Sequence, residues 1–149
     1  MKISAVELIP IHTRRETGLV SQHLIVRLTT DNDLIGVGEI SDLTHFPLYM
    51  PHVEDLQATL TGILVGQDPF QLARLEELLL RVYPHGGKAN IIHCGIDIAL
   101  HDLLGKALNV PVHDLLGGRY RDRIRICYPI FRHQRKEDVP QNIQRVRER

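Results

Sequence analysis

Leu24, Val26 and Leu28 alternate with Ile25, Arg27 and Thr29, and Ile35, Val37 and Glu39 resume the same two-residue period after Asp31-Asn32-Asp33. A period of two sends successive side chains to opposite faces, so the pattern predicts two strands of a half-buried sheet. Asp and Asn tolerate left-handed backbone and bond to their own loop, which makes 31–33 the turn of a hairpin. Ile3–Ile9 reads as a third antiparallel strand. Between the first two strands, Thr13-Arg14-Arg15-Glu16-Thr17-Gly18 is polar and aperiodic and is expected to be a loop.

From residue 53 the period becomes helical. Val53, Leu56, Leu60, Ile63 and Leu64 fall on one face. Asp68-Pro69 predicts the start of a second helix, with Asp as N-cap and Pro in the first turn. Leu72, Leu75, Leu78, Leu79 and Val82 supply its apolar face, and Pro84-His85-Gly86-Gly87 ends it. A third helix is expected from about Asn90 to Leu108, burying Ile96, Leu100, Leu103, Leu104 and Ala107. Asn109 is placed to close it in the left-handed conformation, ahead of Val110-Pro111. Gly105 inside that helix costs about 1 kcal/mol against Ala, which predicts close packing on a neighbour. Arg123–Phe131 alternates again and should be a strand. Glu137-Asp138-Val139-Pro140 looks like a further helix start, with Val139, Ile143 and Val146 as its stripe. A lone strand and helix of this kind need parallel neighbours to pair with. The fold class is therefore α+β: a three-stranded antiparallel sheet followed by a helical bundle, with one strand and one helix of something larger.

Composition changes this picture little. The chain has 149 residues, 43% hydrophobic and 24% charged, which suits one buried core and neither disorder nor a membrane span. No apolar run approaches the roughly 18 residues of a spanning helix. Met1-Lys2-Ile3-Ser4 leads into alternation and not into the apolar block of a signal peptide. Cys94 and Cys127, the two cysteines, are expected to be reduced thiols, and the expected compartment is the cytoplasm.

Charge divides the chain. Residues 1–118 carry 8 Lys and Arg against 14 Asp and Glu, whereas residues 119–149 carry 10 against 4. Clustered Arg could neutralise phosphates. However, the basic residues straddle the apolar segment Ile124–Phe131 with no interleaved stacking aromatics, so a solvated face is expected and no nucleic acid.

Candidate chemistry is sparse. His93, Asp97 and His101 recur every four residues along one helix face and could ligate a metal. They span about two turns, more than one ion easily bridges, so structural roles are expected. Asp102 and Lys106 should form a helix-surface pair. Gly36-Val37-Gly38-Glu39 opens no helix and is not a dinucleotide loop. No Ser/His/Asp grouping, phosphate-cradling loop or cysteine-based zinc motif is present.

The string Gly95-Ile-Asp-Ile-Ala-Leu-His-Asp-Leu-Leu-Gly-Lys-Ala-Leu-Asn-Val-Pro-Val-His-Asp-Leu-Leu-Gly-Gly118 closely resembles the signature of the mandelate racemase/muconate lactonizing branch of the enolase superfamily. It departs at Ile92, where the family usually has a small residue. Gly36-Val-Gly38-Glu39 resembles that family's third-strand end, with Glu39 ordering the domain. The resemblance covers essentially the whole chain and implies two parts. Residues 1–118 match the capping domain, and residues 119–149 match the first strand and helix of a TIM-type barrel. Such barrels take about 250 residues, so most of one is absent here.

What the resemblance implies for the parent enzyme is a Mg2+-dependent removal of the proton next to a carboxylate, with an enediolate stabilised. The outcome is racemisation, cycloisomerisation or loss of water from an acid sugar. The family keeps its three carboxylate Mg2+ ligands and its Lys or His acid/base groups in the part of the barrel that is missing, so no catalytic or metal-binding residue is assigned in this chain. Two loops of the cap shape substrate choice in the family. The first matches Thr13, Arg14, Arg15 and Thr17; the second matches Thr44, His45, Phe46 and Tyr49. Phe46 and Tyr49 would either exclude water from a pocket or merely pin their loop. Arg132, where the first barrel strand ends, either meets a substrate carboxylate or is a rim charge. The expected partners are a small carboxylate substrate and further copies of the chain, without nucleic acid or membrane. The alternative function is a stand-alone, non-catalytic cap-like interaction module.

Overall fold

The computed structural model describes residues 1–14, 20–41, 52–86 and 89–125, and of the remainder residues 140, 143, 144, 147 and 148. The chain divides into two compact units, Met1–Gly118 and Arg119–Arg149.

The first unit opens with three strands, β1 (Ile3–Arg14), β2 (Val20–Thr30) and β3 (Ile35–Ile40), in the order β1-β2-β3. Both pairings are antiparallel: Leu8 lies opposite Val26 and Ile9 opposite Ile25, while Val26 in turn lies opposite Gly38. The register puts Val6, Leu8, Leu24, Val26, Leu28, Gly36, Gly38 and Ile40 on one face, all buried, as the alternation requires. The β2–β3 turn is tight. Asp33 is left-handed (φ 63°), the Thr30 amide donates to the Leu34 carbonyl at 3.0 Å, and the Thr30 hydroxyl donates to Asn32 Oδ1 at 2.6 Å.

β1 runs further than its alternation indicates. Thr13 pairs with Ser21 and Arg14 with Val20, so the expected loop at Thr13 and Arg14 is corrected to strand. Pro10–Arg14 is exposed throughout. This end of the hairpin is held by ladder hydrogen bonds and not by burial, and it therefore leaves no two-residue hydrophobic period.

Three helices follow, α1 (Val53–Leu64), α2 (Leu72–Val82) and α3 (Ala89–Leu108), with α2 packed on the other two. α1 lies against β1, and α3 against β3 and β2. Leu56, Leu60 and Leu64 of α1, Leu75 and Leu79 of α2, and Ile96, Ala99, Leu100 and Leu103 of α3 join the strand residues in one core. Burying each such Leu or Ile contributes about 1.5–3 kcal/mol. Asp68 does not cap α2 as expected. It accepts from the Phe70 amide at 3.0 Å in a turn before the helix, whose N-cap is Gln71 with no side-chain bond. Pro69 is buried in that turn, which delays the first helical residue to Leu72.

α3 ends as its sequence indicates. Asn109 is left-handed (φ 55°); its amide donates to the Lys106 carbonyl at 3.2 Å, and the Val110 amide donates to the Gly105 carbonyl at 2.9 Å. This is a Schellman closure with Asn in the glycine position. A Cβ at Gly105 would come to 2.9 Å of the Val110 carbonyl oxygen, so the expected close neighbour of Gly105 is the returning chain. A short helix, α4 (Val112–Leu115), follows, and Gly117 and Gly118 (φ 102° and 100°) close it.

In the second unit all described residues are exposed. Arg119 Nε reaches Asp122 Oδ1 at 2.9 Å, and the Arg121 guanidinium lies 5.0 Å from the Tyr120 ring centroid. Arg123, Ile124 and Arg125 form no strand, a correction to the front of the expected strand; none of them pairs with another described strand, which an extended segment needs. The rest of that segment lies outside the described residues. The expected helix beyond it is described only at Pro140, Ile143, Gln144 and Arg147, each helical.

Candidate functional site

The described part of the expected specificity surface is the free end of the β1–β2 hairpin. Thr13 and Arg14 stand there, exposed and paired across the ladder with Ser21 and Val20. Arg15, Thr17, Thr44, His45, Phe46, Tyr49 and Arg132 lie outside the described residues. Behind the hairpin end, on the sheet face away from the helices, His23 Nδ1 and Glu39 Oε1 are 2.7 Å apart. Glu39 thus ties β3 to β2, an ordering contact within the domain.

The Asp102–Lys106 pair does more than decorate a helix surface. Lys106 Nζ sits 2.7 Å from Asp102 Oδ2. The same Asp102 oxygen accepts from the Val37 amide at 2.8 Å, and Nζ donates to the Ile35 carbonyl at 2.8 Å. Both groups belong to the outer edge of β3, so the pair satisfies backbone that would otherwise offer itself to another strand.

The expected histidine face of α3 does not converge. His101 Nδ1 turns to its own helix, 2.9 Å from the Asp97 carbonyl and 3.2 Å from Asp97 Oδ1. His93 turns the other way and is buried. Its Nε2 is 2.7 Å from the Tyr83 carbonyl, and its Nδ1 is 3.0 Å from Glu76 Oε2 on α2. His85, in the connection between α2 and α3, brings Nε2 to 3.4 Å of the other Glu76 oxygen. Spacing along one helix could not reveal this grouping, because its members come from three segments. The only local signal is the Pro84-His85-Gly86 turn, which folds the chain back onto α3.

Glu76, His85 and His93 are the only group of three or more such side chains close enough to share an ion among the described residues. Two imidazoles and one carboxylate do not suit Mg2+, which takes oxygen ligands in octahedral array. The Mg2+ implied by the sequence resemblance finds no ligand set in the described part of this chain.

A three-stranded antiparallel sheet with helices on one face, entered in this order, is the architecture of an enolase-type N-terminal capping domain. The chain belongs to the mandelate racemase/muconate lactonizing enzyme family, whose N-terminal domain it matches over residues 2–117. It is 39% identical over 107 residues to a D-galactonate dehydratase of Verminephrobacter eiseniae, an alignment covering 68% of this chain and 26% of that protein. It is 30% identical over 138 residues to an N-succinyl-L-Arg/Lys racemase of Bacillus cereus, covering 86% of this chain and 37% of the racemase. Its fold is that of the muconate lactonizing enzyme from Pseudomonas putida (TM-score 0.68, 24% identity, 82% of this chain and 34% of that one). The chain thus spans about a quarter to two fifths of the length of these relatives. The relatives include dehydratases, racemases and cycloisomerases. No helix among the described residues is long and apolar enough to cross a membrane.

Proposed function

We propose that this chain is the N-terminal, substrate-capping part of an enzyme that removes the proton α to a carboxylate and stabilises the resulting enediolate. Racemisation, cycloisomerisation and dehydration of an acid sugar are the three outcomes open to it. The family match over residues 2–117 carries this reading. Relatives named for galactonate and for an N-succinyl amino acid support a small carboxylate as substrate. The role of residues 1–118 is to cap and select. The hairpin end with Thr13 and Arg14, continued by Arg15 and Thr17, and the segment with Thr44, His45, Phe46 and Tyr49 form the selecting surface. Arg132 is the candidate contact to the substrate carboxylate from the barrel side. Mg2+ and the proton-transferring groups belong to barrel residues outside this chain.

The test is hydrogen exchange at the α-carbon in D2O, followed by NMR with Mg2+ and a panel of sugar acids, N-acyl amino acids and muconate. The full-length protein should exchange or convert at least one of them, and residues 1–149 alone should exchange none. Turnover by residues 1–149 alone would refute the division of labour. Full-length protein inert towards every panel member would remove the enzymatic reading. In the full-length enzyme, Phe46→Ala should change the ratio of kcat/KM between two substrates while leaving Tm nearly unchanged; a lower Tm with unaltered selectivity would mean the ring only packs its loop.

A further inference from the structure

We infer that Glu76, His85 and His93 form a binding site for a divalent transition ion of the Zn2+ class, which clasps α2 to α3 in the capping domain. The His93 side chain is only 7% exposed. The Tyr83 carbonyl 2.7 Å from Nε2 can only accept, so Nε2 carries the hydrogen and donates it. In a neutral ring Nδ1 is then a bare lone pair. It faces Glu76 Oε2 at 3.0 Å, and an ionised carboxylate is also acceptor-only. Two lone pairs held at that distance, one of them on a buried ring, need a positive species between them.

A proton on Nδ1 is one such species, and a metal ion is the other. The remaining geometry points to the ion. His85 Nε2 stands 3.4 Å from Glu76 Oε1, and all three ligand atoms lie within 4.8 Å of one another. Metal–nitrogen and metal–oxygen bonds of about 2.0–2.1 Å set tetrahedral ligand–ligand edges of about 3.3 Å. The His93–Glu76 separation of 3.0 Å is close to that edge, and His85 approaches through the other carboxylate oxygen, Oε1. His85 is 61% exposed, so its ring can turn towards the shared position without disturbing the core. The hydrogen bond from Nε2 to a backbone carbonyl is the support that metal-ligating histidines ordinarily have: it fixes the tautomer and aims the free nitrogen. Two imidazoles and a carboxylate favour Zn2+ and its first-row neighbours over Mg2+ or Ca2+. With three protein ligands the fourth position falls to water. This site is independent of the reaction proposed above.

The experiment uses the chelator-stripped chain titrated with Zn2+ by calorimetry and with Co2+ by visible absorption. The expected result is one ion per chain, tetrahedral Co2+ bands and a Tm raised by Zn2+. His85→Ala and Glu76→Gln alter exposed or half-exposed positions and should fold. Each should weaken binding roughly tenfold or more and abolish the Tm gain, whereas His113→Ala should bind as the unsubstituted chain does. Three outcomes overturn the proposal. Absence of Zn2+ binding would leave a proton as the bridge. Binding that survives both His85→Ala and Glu76→Gln would place the ion among the other histidines. Octahedral Co2+ spectra with no Tm gain would mean loose surface association.

Discussion

A methyl group added at Gly38 has nowhere to go. Its Cβ would strike the Gly95 carbonyl oxygen and come to 2.8 Å of the Ala99 amide nitrogen. These are backbone atoms of α3 and cannot swing aside. Gly95 faces back in the same way, since its own Cβ would fall 2.5 Å from Ile40 Cγ1. The two glycines therefore set how closely β3 and α3 approach, and Gly38→Ala should cost about 1–3 kcal/mol by overpacking. Gly62 is the control. It sits on the exposed side of α1, where an added methyl would meet nothing within 4 Å, so Gly62→Ala should stabilise by about 0.5–1 kcal/mol through helix propensity alone. Urea unfolding of the two variants checks both signs; equal effects would mean that spacing between β3 and α3 is not the constraint. At this scale the sequence is legible where the cause is local. Asn109 can be read as a left-handed stop because the Val-Pro pair follows it. The Gly38–Gly95 approach joins residues 57 positions apart, and no local pattern records it.

Among the elements, β1 and β3 are the two edges of the sheet, and each is closed by a helix side chain. Gln57 Oε1 of α1 accepts from the Leu8 amide at 2.8 Å, and Asp102 with Lys106 of α3 covers Val37 and Ile35. Asp102 carries the larger share on β3. Its removal leaves both the Val37 amide and the Lys106 ammonium without their carboxylate, whereas removing Lys106 frees the Ile35 carbonyl and leaves Asp102 still accepting from the Val37 amide. Asp102→Ala should therefore destabilise by about 1–2 kcal/mol and Lys106→Ala by less. Light scattering should show Asp102→Ala associating more readily at high concentration, as an uncovered edge does. A double-substitution cycle in urea that gives the reverse order would show that Lys106, and not Asp102, carries the larger share; two null effects would show that the edge is held by its ladder alone. Helical spacing alone makes the Asp102–Lys106 pair legible, but not its partner strand, which comes from the other end of the domain. The hairpin teaches the same point in reverse. Hydrophobic period finds β2 and β3 because one face is buried, and misses Pro10–Arg14 because neither face is. Thr13 and Arg14, the described candidates for selection, fall in that second kind of segment, so the role proposed for them rests on likeness to a family.

For the whole molecule, the core and the charge divide the chain at the same place. Every described residue of the hydrophobic core lies between Ile3 and Leu104, and every described residue beyond Gly118 is exposed, Ile124 at 79% and Ile143 at 40%. The excess of acidic residues falls before that boundary and the excess of basic residues after it. A unit that owns its core should fold without help, since burial of apolar surface supplies most of the driving force and the ladders close on themselves. Residues 1–118 alone should accordingly unfold in a single cooperative transition. Their Tm should fall within about 4 °C of that of residues 1–149, a shift that corresponds to no more than roughly 1 kcal/mol. Far-UV circular dichroism and calorimetry on the two lengths decide this. A broad, non-cooperative melt of residues 1–118 would show that 119–149 completes the core. An unchanged melt would make the capping domain a self-sufficient unit, with its stability set by the three helices and the sheet that share its core.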